Sequence, residues 1–370
     1  MRKSFLPRWI CKQLSRWHLR QIYRFGLVIA AIAIALIWQQ FQQPTIPLRE
    51  TLSTNWPIAA INDDEASAER EPIQPIPVAA PYSLDKYALG KRLFKEPSLS
   101  KNGQLSCASC HQIELGGADR NQYSKGIANT PTQVNTPTVF NIAYNFRFNW
   151  DGQYDSLTTH TDKLIQNPAV MGGTWEDILQ KIADIKDYQQ AFKTIYPNGI
   201  NRENIVNAIV TYETALTTPN APFDRYLRGD TSAISKTAKS GYDLFKAYGC
   251  ASCHQGTNIG GNMFQKFGAI GDYFGDRGNI TPADLGRYNV TGSKSDRYVF
   301  RVPSLRNVAI TPPYLHDGSA ATLKEAIEIM VKYQLGRPMP EPDIEQIVDF
   351  LETLTGEVPN SDATAAPSSF

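Results

Sequence analysis

Towards the C-terminus apolar residues recur at helical spacing. Ile344, Ile347, Val348, Leu351 and Leu354 form one such stripe, and Leu323, Ala326, Ile327, Met330 and Tyr333 form another. Each predicts an amphipathic helix with one buried face. At the other end, Gly26 to Trp38 is a run of thirteen residues without a charge, extended by Phe25 and Phe41. That length suits a signal-peptide core as well as a membrane helix. Gln39, Gln40, Phe41, Gln42 and Gln43 follow with no small-x-small cleavage site, which predicts an uncleaved signal anchor over residues 25–41. Residues 42–81, rich in Pro, Gln, Ala and acids, lack any periodicity and read as a tether, and residues 357–370 read as a disordered tail.

Between tether and tail the chain repeats itself. Gly90-Lys91-Arg92-Leu93-Phe94-Lys95 precedes Cys107-Ala108-Ser109-Cys110-His111, and Gly241-Tyr242-Asp243-Leu244-Phe245-Lys246 precedes Cys250-Ala251-Ser252-Cys253-His254. A second pair of segments, Thr136 to Gly152 and Val302 to Gly318, aligns without gaps. Pro137, Asn141, Ala143, Asp151 and Gly152 fall opposite Pro303, Asn307, Ala309, Asp317 and Gly318. Internal duplication on this scale predicts two domains built on one plan. The expected fold is mainly α, with two tandem cytochrome-c-like domains over residues 82–218 and 219–356 behind an N-terminal membrane helix.

Length and composition agree with that division. The chain has 370 residues, 42% hydrophobic and 20% charged, and its 24 Pro and 25 Gly predict much loop. The net charge of +1 conceals a polarity. Residues 1–24 hold seven of the 37 bases and no acid, leaving 30 bases against 36 acids in the remainder. By the positive-inside rule the basic segment is cytoplasmic and the body periplasmic. A mildly acidic body argues against nucleic acid as partner and is compatible with a basic protein docking for electron exchange.

Four of the five cysteines lie in the two Cys-x-x-Cys-His runs, and Cys11 is left over. That spacing lets both sulfurs of a pair form thioethers with one porphyrin, while the adjacent histidine reaches the iron from the same side. Redox disulfides, or one zinc held by four thiolates, require no histidine after each pair and do not explain the repeated helix before it. The prediction is two covalent c-type haems, on Cys107, Cys110 and His111 and on Cys250, Cys253 and His254.

The sixth iron position sets what each haem can do, because a second strong ligand favours electron transfer and an open position favours peroxide or oxygen chemistry. Met330 stands twelve residues after Gly318 and is either a thioether ligand or core filler. The residue twelve after Gly152 is Leu164, which cannot bind iron. His160 lies one helical turn earlier and, apart from His111, is the sole histidine of that half. It is an acid-base group, a resting-state ligand or a surface histidine.

These residues resemble the bacterial dihaem cytochrome c peroxidases and their methylamine-utilisation dihaem relatives, from about Leu84 to Gly356. The motifs that carry the resemblance include Leu89 to Phe94, Gly116-Gly117-Ala118-Asp119, Asn135 to Asn141, Trp150-Asp151-Gly152, Thr218 to Arg225, Tyr298 to Arg301, Leu305 to Ala309 and Pro313 to Gly318. The resemblance implies a peroxidatic low-potential haem in the first half and an electron-receiving high-potential haem in the second, with Met330 as axial ligand. It also implies Trp150 as a relay between the haems, and an interdomain calcium held by Asn135 and the carbonyls of Thr311 and Pro313. Implied partners are hydrogen peroxide and a small soluble donor (a c-type cytochrome or copper protein); a homodimer is a separate expectation that no residue of the sequence carries.

The chain departs from that pattern at three places. Ile127 stands where the family has its loop histidine, Val170 where it has a distal glutamate, and His160 where it has a glutamine. The expectation is that His160 takes over the missing glutamate's role. The rival readings are an oxidase of the methylamine-utilisation type acting on a protein, whose axial Tyr is Met330 here, and a non-enzymatic dihaem electron carrier or redox sensor.

Overall fold

The computed structural model of the chain describes residues 71–78 and 82–358. The basic segment 1–24, the predicted anchor 25–41, most of the tether and nearly all of the tail lie outside the described residues. Among the described residues no helix is long and apolar enough to cross a membrane.

The fold is mainly helical, as its periodicity predicts. In the first half run α1 (Leu84–Phe94), α2 (Leu157–Gln166), α3 (Trp175–Ala183), α4 (Lys186–Ile195) and α5 (Arg202–Ala215). The second half holds α6 (Pro222–Leu227), α7 (Lys236–Ala247), β1 (Phe264–Lys266), α8 (Tyr273–Arg277), α9 (Tyr288–Thr291), β2 (Val299–Arg301), α10 (Leu323–Met330) and α11 (Glu341–Glu352). β1 and β2 pair antiparallel, with Phe264 opposite Arg301.

The duplication in the sequence is a duplication of helix crossings. α1 packs on α5, and α7 packs on α11. A glycine sits at each crossing, where backbone meets backbone. A Cβ on Gly90 would lie 1.9 Å from the Ala208 carbonyl oxygen, and one on Gly241 would lie 1.8 Å from that of Gln346. Gly241→Ala must therefore push α7 off α11, and is expected to cost ~1–3 kcal/mol or more. A denaturant melt showing no loss of stability would contradict this close approach.

Two apolar cores follow from the two crossings. Phe94, Phe140, Phe192 and Ile209 anchor the first, and Phe223, Tyr242, Phe245 and Phe350 the second. A third, smaller cluster of Tyr273, Phe274, Phe300 and Tyr333 packs against Trp150 of the first half, so it lies where the halves meet. Thr218 ties the halves together: Asn141 and Asn307 each donate Nδ2 to its Oγ1, at 2.8 and 2.9 Å. Both asparagines have φ of 60°, a conformation Asn tolerates better than most residues.

Two sequence expectations need correction. Residues 71–78, which the sequence assigns to the tether, are docked on the second half. Ile73 and Ile76 are buried there. The Ile76 amide donates to Asp224, the Gln74 carbonyl accepts from Arg306 at 2.9 Å, and the Ile76 carbonyl accepts from Arg228 at 2.7 Å. Low hydrophobicity concealed this docking, since its anchors are two isoleucines and backbone groups answering a buried ion pair. In the C-terminal stripe Ile344, Ile347, Leu351 and Leu354 are buried, but Val348 is half-buried and Phe350 fills the core instead.

Candidate functional site

Each Cys-x-x-Cys-His run forms one tight helical turn, Cys107–Ser109 and Cys250–Ser252, which brings the histidine back over the first cysteine. The His111 amide donates to the Cys107 carbonyl at 2.9 Å, and the His254 amide to the Cys250 carbonyl at 3.0 Å. His111 Nδ1 lies 3.1 Å from the Gly117 carbonyl oxygen, and His254 Nδ1 3.4 Å from that of Ile259. A carbonyl only accepts, so Nδ1 carries the proton and the Nε2 lone pair is left for iron. Burial lowers the pKa of both imidazoles, His254 to about 4, which keeps them neutral as metal ligation requires. Phe94 and Phe245 brace the two rings alike, at 6.5 Å and interplanar angles of 47° and 54°.

In the second half Cys250, Cys253, His254 and Met330 line one cavity of about 390 Å³. Its walls are largely apolar, with Phe245, Leu305, Ile327 and Leu351 among them. This explains why no residue of α10 is fully buried although its apolar stripe is continuous: the stripe faces the cavity. Met330 ends α10, and the chain then runs through a π-helical turn, Val331–Leu335. Such turns frequently mark functional sites. Two thiols, a neutral imidazole and a thioether around an apolar cavity fit a covalent haem with a His254/Met330 iron.

The first half lacks that methionine. The repeat places Leu164 opposite Met330 and His160 opposite Ala326, which lines the second-half cavity. His160 projects from α2 between Phe148 and Tyr154, each 5.7 Å from its ring. Its Nε2 lies 3.0 Å from Asn149 Oδ1, and its Nδ1 is buried without any protein partner. Since the amide oxygen accepts, Nε2 bears the proton and Nδ1 holds an unused lone pair. Burial, reinforced by His111 and Arg301, lowers its pKa to about 4, so the ring is neutral at pH 7.

The other two departures from the family pattern meet each other. The Ile127 amide donates to the Val170 carbonyl at 3.0 Å, and a Cβ on Gly126 would strike the Ala169 carbonyl oxygen at 2.0 Å. The loop that carries a histidine in the family is thus pinned here to the segment that carries the glutamate, both with apolar side chains. Two buried carboxylates lie nearby: Asp162 is paired with Arg202, while Glu213 accepts from Thr161 Oγ1 at 2.9 Å and is raised by burial to about 7.

Between the halves, Trp150 donates Nε1–H to the Asn135 carbonyl at 2.9 Å. Its ring lies edge-on to His316, 6.4 Å away. The repeat pairs Trp150 with His316, so duplicate positions face each other here. His316 is held by Asp284 through Nε2 at 2.7 Å, and Arg277 bridges Asp284 and Asp317. Asp284, His316 and Asp317 are close enough to hold a metal. Arg277 already pairs with both carboxylates of that cluster. The sequence reading assigned these residues no role, although the alignment of His316 with Trp150 signalled their place. Asn135, Thr311 and Pro313 border the cavity together, and Asn135 Nδ2 is engaged by the Asn121 carbonyl at 2.9 Å, which turns its amide oxygen away from that bond.

Comparison with known proteins agrees with this geometry. Residues 84–232 match the family model described as di-haem cytochrome c peroxidase. The chain is 40% identical to cytochrome c551 peroxidase of Nitrosomonas europaea over 82% of its own length and 89% of that protein. It is also 40% identical to cytochrome c peroxidase Ccp of Escherichia coli, over 80% of this chain but 64% of that longer relative. A solved structure of a MauG-like protein associated with microbial copper homeostasis superposes with a TM-score of 0.66 at 27% identity, covering 77% of this chain and 93% of that one. The paired haem-binding turns, the duplicated helix crossings and these relatives together place the chain in the di-haem cytochrome c peroxidase family, among the dihaem peroxidases.

Proposed function

We propose that the chain reduces hydrogen peroxide to water with electrons from a small soluble donor, a c-type cytochrome or a copper protein, on the periplasmic side of a membrane to which residues 25–41 anchor it. The observation that carries this reading is the asymmetry between duplicates. Where the second half presents Met330, the first presents Leu164 together with a buried, unpartnered His160 Nδ1. Two covalent haems supply the one-electron chemistry and a peroxide-binding iron.

The residues of the chain divide the remaining work. His111 and His254 would hold the two haem irons through Nε2, and Met330 would add a thioether at the second, a ligand set that suits electron transfer and raises the potential. Breaking the O–O bond requires a proton moved from the inner to the outer oxygen. His160 Nδ1 is a neutral base placed to accept it, and Asn149 holds the ring in the tautomer that keeps this nitrogen free. Ile127 and Val170, at the positions of the family's loop histidine and distal glutamate, offer neither an acid nor a ligand. Trp150, at the junction of the halves, is positioned for electron relay. Asn135 Oδ1 and the carbonyls of Thr311 and Pro313 are hard oxygen donors of the type calcium prefers. Homodimerisation accompanies this reading as a further expectation.

One rival has an observation in its favour. An unpartnered His160 Nδ1 could itself bind the first iron, which would make the protein an electron carrier. The resting ferric spectrum separates the two readings. A high-spin fraction is expected, and two wholly low-spin haems would favour the carrier. The methylamine-utilisation type of oxidase is disfavoured by Met330, which occupies the axial Tyr position of those enzymes.

A further inference from the structure

Arg301 is a buried cation without an anion. It ends β2 at 4% exposure. Its partners are the Asn149 carbonyl oxygen, 3.3 Å from Nε, and Asn145 Oδ1, 3.4 Å from Nη1. Both are neutral and both bonds are long. No carboxylate among the described residues reaches it, and burial alone depresses its pKa to about 10.

Two other arginines of this half differ. Arg306, five residues on and equally buried, has Asp224 Oδ1 at 2.7 Å and the carbonyls of Thr257 and Gln74 at 2.9 Å. Arg277 has Asp284 and Asp317. An uncompensated buried charge is costly enough that proteins pair it. The partner of Arg301 must therefore come from what the cavity receives.

Arg301 lines the same cavity as Cys250, Cys253, His254 and Met330. The unused N–H groups of its guanidinium form a planar fork suited to a carboxylate. We propose that Arg301 is the anchor for a propionate carboxylate of the haem carried by Cys250, Cys253 and His254. The same guanidinium holds the backbone carbonyl of Asn149, whose side chain orients His160, so one cation touches the second haem's periphery and the support of the first-half base.

The inference rests on the reading of these residues as a haem site, and the test separates the two. Wild type, Arg301→Gln and Arg301→Lys are prepared as holoproteins, and a pyridine haemochrome assay first counts the haems. Fewer than two haems in the wild type would refute the haem reading itself. With both haems present, spectroelectrochemical titration reads each midpoint potential. Removing a positive charge beside the porphyrin disfavours the reduced iron, so Arg301→Gln should shift the midpoint of the Met330-ligated haem downward. Arg301→Lys, which keeps the charge but loses the fork, should shift it less. Added chloride or acetate should leave the wild-type midpoint unchanged; displacement by either would assign the site to a free anion and overturn the proposal. Unchanged midpoints in both variants, or a shift confined to the His111 haem, would also overturn it. Should Arg301→Gln fail to fold, Arg301→Lys carries the same reading at smaller amplitude.

Discussion

His160→Ala lowers turnover of hydrogen peroxide by about 10²–10⁴-fold, the usual worth of a positioned acid-base group, and leaves the absorption of the Met330-ligated haem unchanged. The size of the effect follows from the absence of a substitute. The family's carboxylate position is Val170, its loop histidine position is Ile127, and these two segments are bonded to each other. Of the two buried carboxylates nearby, Glu213 is committed to Thr161 on α2 and Asp162 to Arg202. Truncating the ring should also leave the fold intact, because α2 starts from its own cap, with Ser156 Oγ accepting from the Thr159 amide at 3.1 Å, and buries Leu157, Thr161 and Ile165 instead. His160→Gln, which can hydrogen-bond but is a poor base, should recover little of the loss. Stopped-flow reduction of peroxide by the pre-reduced protein reads the step directly. An unchanged rate in His160→Ala would remove this residue from the chemistry.

Met330→Leu acts at the other end of the electron path. Leucine for methionine conserves volume and usually costs less than ~1.5 kcal/mol, so α10 and its π-helical turn should survive. What disappears is the thioether, and with it the ligand that raises the potential of the second haem. The midpoint of that haem should fall, and donor-supported turnover should drop with it, since each ~1.4 kcal/mol of lost driving force shifts the donor-to-haem equilibrium by a factor of ten. Peroxide reduction by chemically pre-reduced protein should be affected far less than turnover with the donor. Equal losses in both assays would mean that Met330 serves packing rather than electron uptake.

Much of this was legible in the residues. The two Cys-x-x-Cys-His runs and the gapless second repeat forecast two cores, and the glycines before each run turn out to be the contact points of the helix crossings. The repeat also sets Leu164 opposite Met330 and His160 opposite Ala326. Other features depend on long-range geometry that no periodicity encodes. The docking of residues 71–78 is fixed by Asp224, Arg228 and Arg306, more than a hundred positions away. The cluster of Arg277, Asp284 and His316 is assembled from two separate loops around the third aromatic cluster. Arg301 stood within a recognised motif, but that it lacks an anion is visible only when its neighbours are placed around it. Asn149 likewise becomes meaningful only once its amide oxygen is seen to choose the tautomer of His160.

The account stands or falls on peroxide turnover. The holoprotein is mixed with a pre-reduced small c-type cytochrome or copper protein, hydrogen peroxide is added, and oxidation of the donor is followed spectrophotometrically. The account predicts catalytic, saturable oxidation of the donor that depends on peroxide and collapses in both His160→Ala and Met330→Leu. Donor oxidation limited to the few equivalents that fill the haems, with no dependence on peroxide, would contradict it and leave an electron carrier in its place.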